Sequence, residues 1–245
     1  MSVYVMSDIH GESDLFYRML DKIGFSDSDV LYILGDVIDR GPDGIEILKT
    51  IKDRPNINML LGNHEYMMLQ CYQEQPSGFD CFRWSRNGNE HTKDAFRKLA
   101  FEEQRSLLEY LRNLPTHDEI CVEGKDYYLV HGFPSESNED EVWTRPELNE
   151  RNPRPGQRVI IGHTPVLNLV VPREDRQAYI RLLQKRGEHP QILFARGFID
   201  VDCGCSYSDP MKTLGCLRLD DLSEYYVYNQ CDARNVKTAF RKNAV

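Results

Sequence analysis

Three times before residue 66 the chain runs from a short apolar stretch into a loop of Asp, His, Asn and Gly, and then into a segment with helical apolar spacing. Val3 to Met6 leads into SDIHG (Ser7 to Gly11), and Leu15, Phe16, Met19, Leu20 and Ile23 then recur at helical intervals, with Ser13 expected as N-cap and Gly24 as stop. Val30 to Leu34 leads into GDVIDRG (Gly35 to Gly41) and a helix face of Ile45, Leu48 and Ile51. Asn58 to Leu61 leads into GNHE (Gly62 to Glu65) and a helix carrying Met67, Met68 and Cys71. Strand, loop, helix repeated in this way predicts neighbouring parallel strands whose carboxyl ends, and therefore whose polar loops, share one edge.

The second half has a different rhythm. Residues 79 to 114 read as helical with Phe96, Leu99, Leu107, Leu108 and Leu111 facing inward, and Pro115 ends that region. Glu119 to Val122 and Tyr127 to Val130 flank Glu123 to Asp126 as a hairpin, and Val159 to Ile161 runs into Gly162 and His163. Phe198 to Asp202, Leu214 to Leu219 and Glu224 to Tyr228 are the closing strands. Helical units followed by strands predict an α/β fold with two mixed sheets packed face to face and helices outside. Between them, Pro172 to Gly197 is rich in Arg, Glu and Gln with a narrow apolar face, and is expected to be an exposed helical insert in a single domain spanning 1–245.

The net charge of −9 leaves no basic stripe for a nucleic-acid polymer, so a phosphate-bearing substrate has to be attracted locally, by metals and a few arginines. The chain has no apolar run of membrane-spanning length, and MSVYVMSDIHG has no signal-peptide pattern, so a cytoplasmic protein is expected. Seven cysteines in no framework spacing are expected to be reduced thiols. Cys203 and Cys205, a C-x-C pair without a second pair at zinc spacing, are expected to be small apolar strand residues.

The polar loops carry a recognisable donor set. Asp8 and His10 stand one residue apart, so at an extended strand end both side chains point the same way and can bind one ion. Asp36 can offer its two oxygens to two ions about 3.5 to 4 Å apart. Asn63, His131 and His163 add an amide oxygen and two imidazoles for the second ion, and this mixture suits manganese first, or iron or zinc, over calcium. Two carboxylates against two divalent ions leave about +2, reduced to about +1 by a bridging hydroxide that serves as the nucleophile for in-line attack on phosphorus. His64, expected to point away from the ion held by Asn63, is placed as general acid, with Asp39 on its other ring nitrogen. Arg40 is a phosphate clamp, and Arg145 a candidate second one. His91, His117 and His189 are assigned to the surface. A lone Asp-x-His or Gly-His-Thr would be uninformative; their joint occurrence after strand-like runs points to one metal site.

SDIHG, GDVIDRG, GNHE, the His131-Gly132 pair and GHT (Gly162 to Thr164) together resemble the phosphoprotein phosphatase family of metallophosphoesterases, above all its small bacterial and lambda-phage branch, over residues 3 to 206. The resemblance implies the calcineurin-like fold, with Asp8, His10 and Asp36 on one metal and Asp36, Asn63, His131 and His163 on the other. It also implies a His64–Asp39 proton-donating pair, a phosphate on Arg40, and Arg145 of VWTR as the second clamp. Ser7 stands where the family usually has Gly, and Phe133 where eukaryotic members carry Gly. Neither change removes a ligand. Related symmetrical dinucleoside tetraphosphatases typically have Asp where Glu65 stands, which favours the protein-phosphatase branch. The expectation is a metal-dependent phosphomonoesterase acting on phosphorylated Ser or Thr, with Tyr also within reach; a dinucleoside tetraphosphatase or other small-molecule phosphoesterase is the alternative. A non-catalytic scaffold on the same fold could dispense with His64 or a phosphate arginine, and both are present.

Overall fold

The computed structural model describes residues 1–229. The first sheet is centred on three parallel strands, β1 (Val3–Met6), β2 (Val30–Ile33) and β3 (Ile57–Met59), connected through α1 (Ser13–Ile23) and α2 (Gly44–Lys52). Helices α3 (Asn63–Cys71), α4 (Gly78–Arg86), α5 (Glu90–Arg97) and α6 (Phe101–Arg112) follow without an intervening strand. The second sheet begins with the hairpin of β4 (His117–Val122) and β5 (Lys125–Val130), and continues past the short α7 (Asn138–Glu141) to β6 (Gln157–Ile161). After α8 (Val166–Val170) and α9 (Arg176–Arg186), β7 (Leu193–Phe194) and β8 (Ile199–Asp200) complete it. The final pair, β9 (Thr213–Arg218) and β10 (Glu224–Tyr228), returns to the first sheet antiparallel to β1. The orders are β10-β9-β1-β2-β3 and β4-β5-β6-β8-β7, two mixed sheets of five strands.

Side-chain alternation explains the layering. In β1, Val3 and Val5 face the other sheet, where Tyr127, Leu129 and Ile160 meet them, while Tyr4 and Met6 face outward under the helices. The outer face of the second sheet buries Tyr128, Val130, Val159 and Ile161. Because β1 and β2 are covered on both faces, they read as near-continuous apolar runs. Among the described residues no helix is long and apolar enough to cross a membrane.

Several expectations change. Ser13 is the first residue of α1, and its hydroxyl donates to Asp43 at 2.5 Å instead of capping the helix; Gly24 does close the helix in the left-handed conformation. The segment Pro172 to Gly197 contains exposed α9, pinned through Leu183 to Leu167, Val171 and Met211, but it also contributes β7 to the second sheet, so it is only partly an excursion. His117 is half-buried, stacked on Tyr128 and bonded to Glu141, and His189 is half-buried against Tyr228; the expected surface position holds for His91. Cys203 and Cys205 are buried apolar residues as expected, but lie just beyond β8 in a loop, not in a strand.

The expectation of uniformly reduced cysteines fails at one place: Cys71, at the end of α3, is disulfide-bonded to Cys81 in α4. Of the other five, Cys121, Cys203, Cys205 and Cys216 are free and Cys231 lies outside the described residues. Closing a short loop constrains the unfolded chain, so reduction should lower stability by about 2 to 3 kcal/mol. Thermal unfolding with and without dithiothreitol checks this; an unmoved midpoint would contradict it.

Candidate metal centre

The loops that follow the parallel strands supply every expected site residue except Arg145. Asp8 and His10 follow β1, Asp36, Asp39 and Arg40 follow β2, Asn63 and His64 open α3 after β3, His131 follows β5 and His163 follows β6. The two sheets face each other with these ends together, and hydrogen bonds join them, among them the His131 Nδ1 contact to the Leu34 carbonyl (2.8 Å) and the His163 amide donating to Asp8 Oδ2 (2.8 Å). Within the first sheet, His10 N donates to the Asp36 carbonyl and Gly11 N to that of Val37.

The loops are tight enough to strain the backbone. Among the described residues eight non-glycine residues have positive φ, and six of them are Asp8, His10, Asp36, Asp39, Arg40 and His163. Such conformations cost on the order of 1–3 kcal/mol each and persist only where the surroundings over-determine them. Glu65 supplies much of that constraint. Its buried carboxylate accepts from the amides of Asp36 (2.9 Å), Val37 (2.9 Å) and Ile38 (3.1 Å), holding the loop from the first turn of α3. At Gly35 a side chain has no room: a Cβ there would stand 2.6 Å from the Gly62 backbone.

The expected ligand atoms converge. His10 Nε2 lies 3.8 Å from both Asp8 Oδ1 and Asp36 Oδ2. On the other side His131 Nε2 lies 3.3 Å from Asp36 Oδ1 and 3.0 Å from Asn63 Oδ1. The donor atoms of Asp36, His131 and His163 fall within 4.8 Å of one another, as do those of His10, Asp36 and His64. Three imidazoles spend one ring nitrogen on a backbone carbonyl and leave the other for the cluster: His10 Nδ1 on Ile38, His131 Nδ1 on Leu34 and His163 Nε2 on Trp143. That is how metal-binding histidines are held in tautomer and orientation.

Buried carboxyl groups and imidazoles set the electrostatics of the site together. Besides Asp8 and Asp36, two fully buried carboxylates, Asp200 and Asp202, come close enough to repel Asp8; burial and mutual repulsion push both well above the usual carboxylate range. One oxygen of Asp200 has no hydrogen-bond partner. Burial would lower His131, yet Asp36, Asp8 and Glu65 outweigh it and raise it to about 9, so this pocket of buried carboxylates favours positive charge. Burial, with His131 and Arg145 nearby, takes His163 down to about 2 and leaves it neutral, as a ligand must be. Divalent ions fit this donor set. Asp200 and Asp202 were not anticipated, although two Asp residues alternating in an apolar run are an unusual pattern.

His64 sits in the first turn of α3, where its separation from Asn63 is a helical one and not the two faces of a strand. Its amide donates to Asp36 Oδ1 (2.9 Å), its Nδ1 meets Asp39 Oδ2 at 2.7 Å, and its Nε2 is 3.2 Å from Arg40. Nε2 is also 3.9 Å from Asp36, so distance alone would admit His64 as a ligand. The adjoining guanidinium repels a cation from that nitrogen, and Asp8, 3.8 Å from His10 Nε2, offers a carboxylate instead, which makes Asp8 the better candidate. Burial lowers His64, but Asp36 and Asp39 outweigh it and hold the imidazole above its ordinary value. Arg40 is exposed, with a second contact to Ser206 (2.8 Å). Arg145, four residues beyond α7, is also exposed and lies beside His163, donating to its carbonyl (2.8 Å) and to Thr164 Oγ1 (3.0 Å).

Residues 1–195 match the family model described as calcineurin-like phosphoesterase. The chain belongs to that family. Among curated relatives of this calcineurin-like chain, a symmetrical bis(5'-nucleosyl)-tetraphosphatase of Acidovorax sp. strain JS42 is 35% identical over 136 residues, covering 54% of this chain and 43% of that protein. A serine/threonine-protein phosphatase 2 of Salmonella typhimurium strain LT2 is 31% identical over 137 residues, covering 55% and 60%. The chain thus spans about half the length of the curated relatives it matches. A protein serine/threonine phosphatase structure from Saccharomyces cerevisiae shares the fold with a TM-score of 0.59 at 12% identity, over 95% of this chain and 81% of that one.

Proposed function

We propose that the chain is a metal-dependent phosphomonoesterase that removes phosphate from phosphoserine or phosphothreonine in proteins, with phosphotyrosine also within its chemistry. Asp8, His10 and Asp36 would hold one divalent ion and Asp36, Asn63, His131 and His163 the other, with manganese the first candidate and iron or zinc also suited. When bound, such a pair of ions lowers the pKa of a shared water and stabilises charge on phosphoryl oxygens. Arg40 and Arg145 hold the phosphate, and His64, oriented by Asp39, delivers a proton to the departing oxygen from Nε2, the nitrogen that Arg40 leaves when its guanidinium turns to the phosphate.

The observation that carries this reading is the buried His64–Asp39 pair beside Arg40. A phosphoseryl ester departs as a basic alkoxide and needs that proton, whereas a nucleotide departs from a polyphosphate as a stabilised phosphate oxyanion. The second reading, hydrolysis of dinucleoside tetraphosphates, is favoured by what the Acidovorax relative is named for. Comparison of kcat/KM for a phosphoserine peptide and for diadenosine tetraphosphate, both with added manganese, separates them. The peptide should be the better substrate; a clear preference for the tetraphosphate would replace the first reading with the second.

A further inference from the structure

Trp84, one of two tryptophans in the chain, is 1% exposed on α4, and its indole Nε1 donates to Asp39 Oδ2 at 2.7 Å. This is the same oxygen that meets His64 Nδ1 at 2.7 Å. The other oxygen of Asp39 is buried without a partner, so the carboxylate has one oxygen gripped by two donors and one gripped by none. A carboxylate held only by the imidazole could turn about its Cα–Cβ and Cβ–Cγ bonds; a second donor from a different element removes that freedom.

The surrounding contacts serve the same end. Asp39 and Arg40 both have positive φ, 69° and 67°, and the chain just after Trp84 fastens them: the Arg40 amide donates to the Gly88 carbonyl (2.8 Å), and the Asp39 amide to Thr92 Oγ1 (2.9 Å). The Cys71–Cys81 link ties α4 to α3, whose first turn carries His64. Trp84 lies three residues from Cys81, one helical turn further along α4. The imidazole and the indole that meet on Asp39 therefore come from two helices joined to each other.

We propose that Trp84 is a positioning residue for proton donation, its indole N–H fixing Asp39 so that Asp39 fixes His64 toward the leaving oxygen. This rests on the phosphomonoesterase reading given above. Trp84→Phe keeps the apolar ring and removes the donor, and replacement of Trp84 by benzothienylalanine keeps the full bicyclic shape without the N–H, so loss of packing and loss of the hydrogen bond are separable.

A donor that only helps a leaving group depart matters most when that group is basic. Across dinitrophenyl, para-nitrophenyl and phenyl phosphates, both variants should lose kcat increasingly, with the loss on phenyl phosphate at least about tenfold larger than on dinitrophenyl phosphate. The second readout does not depend on turnover. In the zinc-loaded protein a low-field imidazole proton, assigned to His64 by its disappearance in His64→Gln, should shift or vanish in both Trp84 variants. A uniform loss along the series, no loss, absence of that signal from the wild type, or its persistence unchanged in the variants would each overturn the role. If the wild type hydrolysed none of the three esters, the phosphomonoesterase reading would fail by itself, and the His64 signal would still decide whether Trp84 holds the pair.

Discussion

Asp36→Asn should reduce turnover of para-nitrophenyl phosphate by on the order of a thousandfold or more, equivalent to about 4 kcal/mol of transition-state stabilisation. Asp36 is the one side chain whose two oxygens face the two halves of the cluster, 3.8 Å from His10 Nε2 and 3.3 Å from His131 Nε2. It also accepts from the His64 amide, so the substitution weakens the ligand set and the placement of His64 together. Metal content measured on the purified variant should fall below that of the wild type. Wild-type rates with wild-type metal content would sink the two-metal reading.

His64→Gln should cost about a hundredfold to ten-thousandfold on a phosphoserine peptide, the usual range for removing a general acid, and much less on dinitrophenyl phosphate. Glutamine can still accept a hydrogen bond from Arg40 through its amide oxygen but cannot deliver a proton. The pH profile supplies a further check. Burial lowers His64, while Asp36 and Asp39 together outweigh it and raise it above its ordinary value, so the protonated form persists to higher pH than in a free imidazole and the alkaline limb of kcat should be displaced upward accordingly. Asp39→Asn removes one of the two raising carboxylates and should move the limb downward. An unmoved limb, or equal losses on both substrates, would reject His64 as the donor.

The loops around the candidate centre were legible because their residues follow strand ends in a fixed local pattern. Asp8 and His10 are separated by one residue, Asp36 and Asn63 each stand just after an apolar run, and His131 and His163 begin the loops after later strands. Period-two alternation and Gly-rich loop entries are short-range signals, so the first sheet and most of the second could be anticipated from them. Other features depended on residues far apart in the chain. Ser13 has the right residue type for an N-cap, but Asp43, brought up by the next strand–helix unit, offers its hydroxyl a charged acceptor. Cys71 and Cys81 have no framework spacing, yet α3 and α4 pack closely enough to join them. The polar composition of Pro172 to Gly197 concealed β7, whose partner β8 comes from beyond the insert.

Asp39 contains both kinds of information. Its position three residues past Asp36, beside Arg40, was enough to nominate it as a partner for His64, because the choice needs only residue types and the reach of a loop. That its second donor is Trp84, that Thr92 and Gly88 secure the strained turn, and that Asp200 and Asp202 bring two further buried carboxyl groups to the cluster was decided by the folded chain alone. Those contacts join segments about fifty to two hundred residues apart, and their strength comes from burial, which removes competing water and makes an unpaired carboxylate oxygen costly. Local order along the chain specifies which groups stand at a strand end; only the packing of two sheets and their helices specifies which groups are buried together.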